Sequence, residues 1–274
     1  MTRRLARLPL WLGIIATLAV SLGPFAWFAA TSFKTPVEIT STPPRLLGSG
    51  TLEPYRSAIV EHRLLRSLAN SAVVASATTL VSLLLASLAA YALARLPIPG
   101  RRLLLIAVLA ASMFPQVAIA GPIWRLLREV GLLNSHVGLV VPYVSLTLPL
   151  AIWLLASFFR ELPPELEEAA RVDGCTRLGA LVRIVAPVAA PGVFTAAILV
   201  FIYAWNEFFF ALLILSDPSK HTLPVGIALF PGQYTMPWGE IAAASVVATA
   251  PLVVLVLLFQ RRIVRGLAAG GVKG

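Results

Sequence analysis

The sequence predicts an all-α membrane protein, a single transmembrane domain over residues 1–274 with six spanning helices. Three observations lead there. Of the 274 residues 58% are hydrophobic, only 12% are charged, and the apolar residues gather in long runs. Soluble domains carry about twice that share of charge. About 20 apolar residues cross a bilayer as a helix, and that ruler places spans at 8–30, 68–94, 103–123, 136–158, 191–215 and 240–260.

The first span follows Arg3, Arg4 and Arg7, as the core of a signal peptide would. At about 23 residues it exceeds the usual signal core, so an uncleaved anchor is expected. Residues 31–67 hold Pro43-Pro44 and Gly48 to Gly50, then a surface helix expected from Pro54 to Arg66. Pro115 and Gly121-Pro122 interrupt the third span, Pro142 and Pro149 the fourth, and Pro251 the sixth. Proline removes an amide donor and bends a helix. In lipid the freed carbonyls need neighbouring helices or a wet cavity. Helix shape for packing and the lining of a pathway both explain such bends. Residues 216–239, with Pro218, Pro224, Pro231, Gly232 and Pro237, predict a stiff, non-helical excursion.

The net charge of +10 would ordinarily raise nucleic acid as a partner. Here the arginines sit at the ends of apolar runs, where they set membrane orientation, and nucleic acid is excluded. With the N-terminus inside, the inner segments hold 14 Lys and Arg residues against 8 in the longer outer segments. Both termini are therefore expected in the cytoplasm, in a multi-pass membrane protein. Cys175 is the only cysteine, which rules out an intrachain disulfide. His62, His136 and His221 lack metal-ligand spacing, so no metal is expected.

The inner segment 159–190 is unusual in so apolar a chain. Pro163 and Pro164 suit the start of a helix, where missing amide protons cost nothing. Glu165, Glu167 and Glu168 follow at the positive end of its dipole. Gly174 suits the left-handed residue that stops it, and a second short helix is expected from Thr176 to Val185. Ala169 and Ala170 lack bulk, so another surface can approach; Glu168 and Asp173 offer charges to basic groups on it. A solvated amphipathic loop with ordinary caps reads the same composition.

Glu168-Ala169-Ala170, Asp173-Gly174, Ile184, Pro187 and Pro191 resemble the signature cytoplasmic loop of bacterial ABC importer permeases. Phe158 through Pro191 is similar to the carbohydrate branch of that family, as is Trp205-Asn206-Glu207-Phe208. The tail Gly266 to Gly274 resembles the C-terminus of maltose-type permeases. Ala186, Cys175 and Leu181 depart from the pattern, where leucine, alanine and an aromatic are common.

The resemblance implies a type I ABC importer permease fold with a cytoplasmic coupling helix. Glu168, Ala169, Ala170, Asp173, Gly174, Ile184 and Pro187 would then meet a separate ATPase. Gly270, Gly271, Val272 and Lys273 of the tail, residues 261–274, would reach into its dimer interface. It also implies the partners: a second, homologous permease, a dimer of ATP-binding subunits, an extracellular sugar-binding protein or lipoprotein, and membrane lipid. The cargo would be a carbohydrate, an oligosaccharide, disaccharide or related sugar, moved inward by alternating access. ATP and Mg would be bound by the ATPase and no cofactor by this chain. Its lysines, Lys34, Lys220 and Lys273, form no phosphate-binding loop, so it is not expected to be an enzyme.

Glu207 is the one carboxylate well inside an expected span. A central acid costs about 2.5 kcal/mol or more on insertion scales, so it should face protein or water. Trp205 and Asn206 beside it add the stacking and hydrogen-bonding surface that sugars use. A structural bond to another helix and direct substrate contact both account for Glu207. A self-sufficient secondary transporter or channel is the alternative class; a lone internal acid without a proton or sodium relay speaks against it.

Overall fold

The structure, a computed structural model, describes the backbone of residues 8–230 and 236–271 and the side chains of residues 10–230 and 236–260. Among these residues the regular structure is helical throughout. Four helices are long and apolar enough to cross a membrane: α1 (Leu8–Thr31), α4 (Leu64–Arg95), α7 (His136–Glu161) and α14 (Trp238–Gly271). Two bent pairs pass the same test together. One joins α5 (Arg101–Ser112) to α6 (Gln116–Glu129) at 87°. The other joins Arg177–Val188 to α11 (Ala190–Asn206) at 83°. Counting each bent pair as one span gives six.

The expected third span, 103–123, is therefore not one helix. Its break falls at Pro115, which adopts an extended conformation (φ −61°, ψ 125°) and caps α6. Pro122, Pro142, Pro149 and Pro251 lie inside helices that continue through them. A single lost amide bond is tolerated where neighbouring groups satisfy the freed carbonyl. The surface helix expected from Pro54 to Arg66 is also shorter: α3 covers Glu53–Val60, and Arg63 at φ 51° turns the chain into α4. The excursion at 216–239 is partly helical, with a 3₁₀ turn at Pro218–Lys220 and α13 at Leu223–Ala228. Pro231 and Gly232 lie outside the described residues.

The chain forms two compact units. One holds the residues up to Leu65 with Gly226–Pro251. There α2 (Pro36–Ile39) begins in a capping box: the Glu38 amide donates to Thr35 Oγ1 and the Thr35 amide to Glu38 Oε2 at 2.9 Å. Ser32 Oγ and Tyr55 Oη share a hydrogen bond of 2.8 Å. His62 Nε2 lies 2.5 Å from Glu240 Oε2, and the His62 ring stacks on Phe230.

The other unit holds Arg66–Val225 and Leu252–Gly274. Its core gathers Ala86, Ala90 and Tyr91 of α4, Ile152, Leu155 and Phe159 of α7, and Ala196 and Val200 of α11. The small residues of α4 allow close approach, and Ser82 Oγ and Thr147 Oγ1 bond across at 2.8 Å inside this apolar layer.

Candidate functional site

After α7 the chain straightens at Leu162, and Pro164 caps α8 (Glu165–Val172). Pro163 has no amide proton to leave unpaired, and three glutamates occupy the first turn of α8. The helix closes through Asp173 N to Ala169 O at 3.0 Å and Cys175 N to Ala170 O at 2.9 Å. Gly174 sits at φ +87°, which glycine adopts without steric cost. Thr176 Oγ1 then accepts from Gly179 N to start α9 (Arg177–Ala180). The second short helix is thus longer and less regular than expected: α9, a π turn at Leu181–Val185, and α10 (Ala186–Val188).

This loop has two faces. Inward, Ala170, Ala180, Leu181, Val185 and Ala189 are buried, and the last three join the core of α4, α7 and α11. Ala170 is 6% exposed, so its small size serves packing within the chain, whereas Ala169 is open. Outward lie Glu168, Ala169, Asp173 and Gly174, all exposed, with Pro187 exposed and Ile184 half-buried. Exposed apolar side chains also stand on the loop, among them Val172 at 88% exposure, Leu178 and Val182. Sequence reasoning missed them, although apolar residues in a charged loop were a readable signal.

It also missed what ties the loop down. Tyr91 Oη donates to Glu167 Oε1, Arg95 Nη2 donates to Leu162 O at 2.7 Å, and Arg95 Nε stands 4.0 Å from Glu167 Oε2. Tyr91 and Arg95 are four apart on α4 and so share one face of that helix. The tail is only partly visible: Gly270 and Gly271 end α14, while Val272 and Lys273 lie outside the described residues.

The expected fifth span, 191–215, is two helices. The first, α11, ends at Asn206; Glu207 is extended (φ −68°, ψ 129°), and α12 runs Phe209–Ile214. The cause is the Glu207 carboxylate, which accepts from Phe210 N at 2.9 Å and Ala211 N at 3.3 Å. It caps α12 from within the chain, is 7% exposed, and its own carbonyl accepts from Tyr143 Oη. Trp205 is buried and stacked on Phe201, so its ring is closed off. Asn206 is exposed and donates to Ile202 O at 2.7 Å. Three residues before it, Tyr203 Oη accepts from Gln116 Nε2, at the start of α6 beside the Pro115 bend. Of the three residues singled out here, Asn206 alone presents an open polar group; Gln116 and Tyr203 were not foreseen.

Known proteins place the chain. It is 45% identical over 258 residues to the sulfoquinovosyl glycerol transport system permease protein SmoH of Agrobacterium fabrum, covering 94% of this chain and 90% of that one. It is 43% identical over 280 residues to the trehalose/maltose transport system permease protein MalG of Thermococcus litoralis, covering 98% of each. The fold matches a chain in the crystal structure of a bacterial ABC transporter involved in the import of the acidic polysaccharide alginate. That match has a TM-score of 0.77 at 23% identity and covers 92% of this chain and 94% of that one. A family model matches residues 82–269, well over half the chain, from α4 through the loop to α14. The chain is a multi-pass membrane protein and belongs to the family of binding-protein-dependent transport system inner membrane components.

Proposed function

We propose that this chain is the permease subunit of an ATP-driven importer that carries a carbohydrate into the cytoplasm. The observation that carries the reading is the loop over residues 165–189, a two-faced element bonded and packed to the helices behind it. Its inner face is packed into three helices and its outer face is open, with a mixed charged and apolar surface. That is the form of a docking element. The ATPase subunits would seat on Glu168, Ala169, Val172, Asp173 and Gly174, and the tail through Gly270–Lys273 would add a second contact. Movement of the loop would pass into α4, α7 and α11 and switch the pathway between its outward-open and inward-open forms. ATP and Mg belong to the ATPase pair in this scheme; a second permease and an extracellular sugar-binding protein or lipoprotein complete it. Both termini and the loop face the cytoplasm.

The sugar assignment draws on relatives named for trehalose/maltose and sulfoquinovosyl glycerol transport at 43% and 45% identity. Asn206, with the Gln116–Tyr203 pair nearby, is the polar surface offered to cargo. The test starts from the chain tagged and gently extracted from its native membrane. Copurification of an ATPase and a second, similar permease is expected. Gly174→Asp and Glu168→Lys should stay in the membrane yet abolish coupled uptake; wild-type transport by both would reject the docking role. Glu207→Gln separates structure from cargo contact: lost assembly marks structure, altered sugar preference marks contact. Recovery of an active chain only with itself would favour a secondary transporter.

A further inference from the structure

Lys34 is 2% exposed, yet among the described residues no carboxylate lies within 4.0 Å of its ammonium. A buried ammonium is costly unless it is paired. Its Nζ donates one hydrogen bond, to Arg45 O at 2.7 Å, and stands 4.3 Å from the centre of the Trp27 ring. One carbonyl and one ring leave the charge without a counterion. Gly48 lies against the Lys34 stem, so closely that a β-carbon there would clash with it, which holds the side chain in place.

Lys34 lines a cavity of about 370 Å³, together with Trp27, Thr31, Glu38, Arg45 and Trp238. Glu38 is the one acid in that wall, but its Oε2 already takes the Thr35 amide, the Thr35 hydroxyl and Ser49 Oγ. Thr31 Oγ1 has no hydrogen-bond partner among the described residues. The cavity thus joins two cations to one engaged carboxylate, which selects for an anion. Two features say which anion. Tryptophan favours the level of the lipid headgroups, and Trp27 and Trp238 stand in the wall. α1, which ends at the cavity, is apolar and packs against little of this chain, with Leu18, Leu22 and Phe25 exposed.

We infer that this cavity binds the phosphodiester headgroup of an anionic phospholipid. Lys34 and Arg45 pair with the phosphate, and the acyl chains lie along α1. The site is separate from the loop and from the Glu207 break, and it does not depend on the importer reading.

The test uses the protein in the complex with which it purifies, placed in nanodiscs of phosphatidylcholine and phosphatidylglycerol, with retained lipid read by native mass spectrometry. Preferential retention of phosphatidylglycerol is expected. Arg45→Gln, an exposed change that leaves the fold intact, and Lys34→Met should each reduce that preference about fivefold, as one cation near a membrane surface does. Equal retention of both lipids, or a preference unchanged in both variants, overturns the proposal. A second arm adds inorganic phosphate to the detergent-solubilised complex. A stabilising shift with phosphate that phosphatidylglycerol cannot displace assigns the cavity to a free anion and overturns the lipid; displacement by phosphatidylglycerol supports it.

Discussion

Gly192 of α11 faces Phe158 of α7 at such close range that a β-carbon at position 192 would overlap the phenyl ring. Two helices that carry the core of the larger unit meet there with the Phe158 ring packed flat against the α11 backbone. Gly192→Ala should therefore cost about 1–3 kcal/mol, the usual cost of overpacking. Thermal unfolding in detergent measures it. Phe158→Ala in the Gly192→Ala background should recover part of the loss, because removing the ring makes room for the new methyl group.

The two oxygens of Glu207 hold the amides of Phe210 and Ala211, both buried residues. Glu207→Leu strands those amides at about 1–3 kcal/mol each, and amide exchange over residues 209–214 should accelerate. Glu207→Gln keeps one accepting oxygen and should show an intermediate effect. Unchanged exchange in the leucine variant would refute the capping role.

Tyr91→Phe removes the hydroxyl that donates to Glu167, a hydrogen bond to a charged group worth about 1.5–3 kcal/mol. Exchange in residues 165–174 should quicken while α4 stays protected. Because Tyr91 and Arg95 both meet Glu167, Tyr91→Phe and Arg95→Leu should combine less than additively; strict additivity would show that the two contacts act independently.

The Glu38 carboxyl is held below its ordinary value of 4.5, first by the hydrogen bond from the Thr35 amide. A carboxyl whose pKa is lower when folded stabilises the fold above its unfolded pKa. That contribution is lost as pH falls below about 4.5 and through the lower folded value. Acidification should loosen α2 in that window, read as mobility of a spin label at Val37. Glu38→Gln should remove the pH dependence; a wild-type label unmoved while the Glu38 carboxyl becomes protonated would contradict it.

The helical frame was readable because hydrophobic length is a strong signal, and the caps of α8 were readable because Pro163, Pro164 and Gly174 have few other uses. The breaks were harder. Pro115 and Pro149 look alike in sequence, yet one stands at a break as the N-cap of α6 and the other lies within α7. Their difference lies in tertiary surroundings. Glu207 was legible as an acid in an apolar run, but its action as a cap required knowing that α11 stops one residue earlier. The anchoring of the loop by Tyr91 and Arg95 joins residues 76 and 67 positions apart, beyond the reach of any local pattern.

That last separation also orders the making of the protein. Tyr91 and Arg95 leave the ribosome well before Glu167 and Leu162, and at ordinary rates of synthesis the interval is roughly 3–15 s. Through that time a tyrosine and an arginine at the end of an inserted α4 have neither of their final acceptors. The seat of the loop is thus laid down before the loop exists. A nascent chain stopped short of Leu162 holds α4 with that seat empty, and one extended past Glu167 can fill it before α11 has been made.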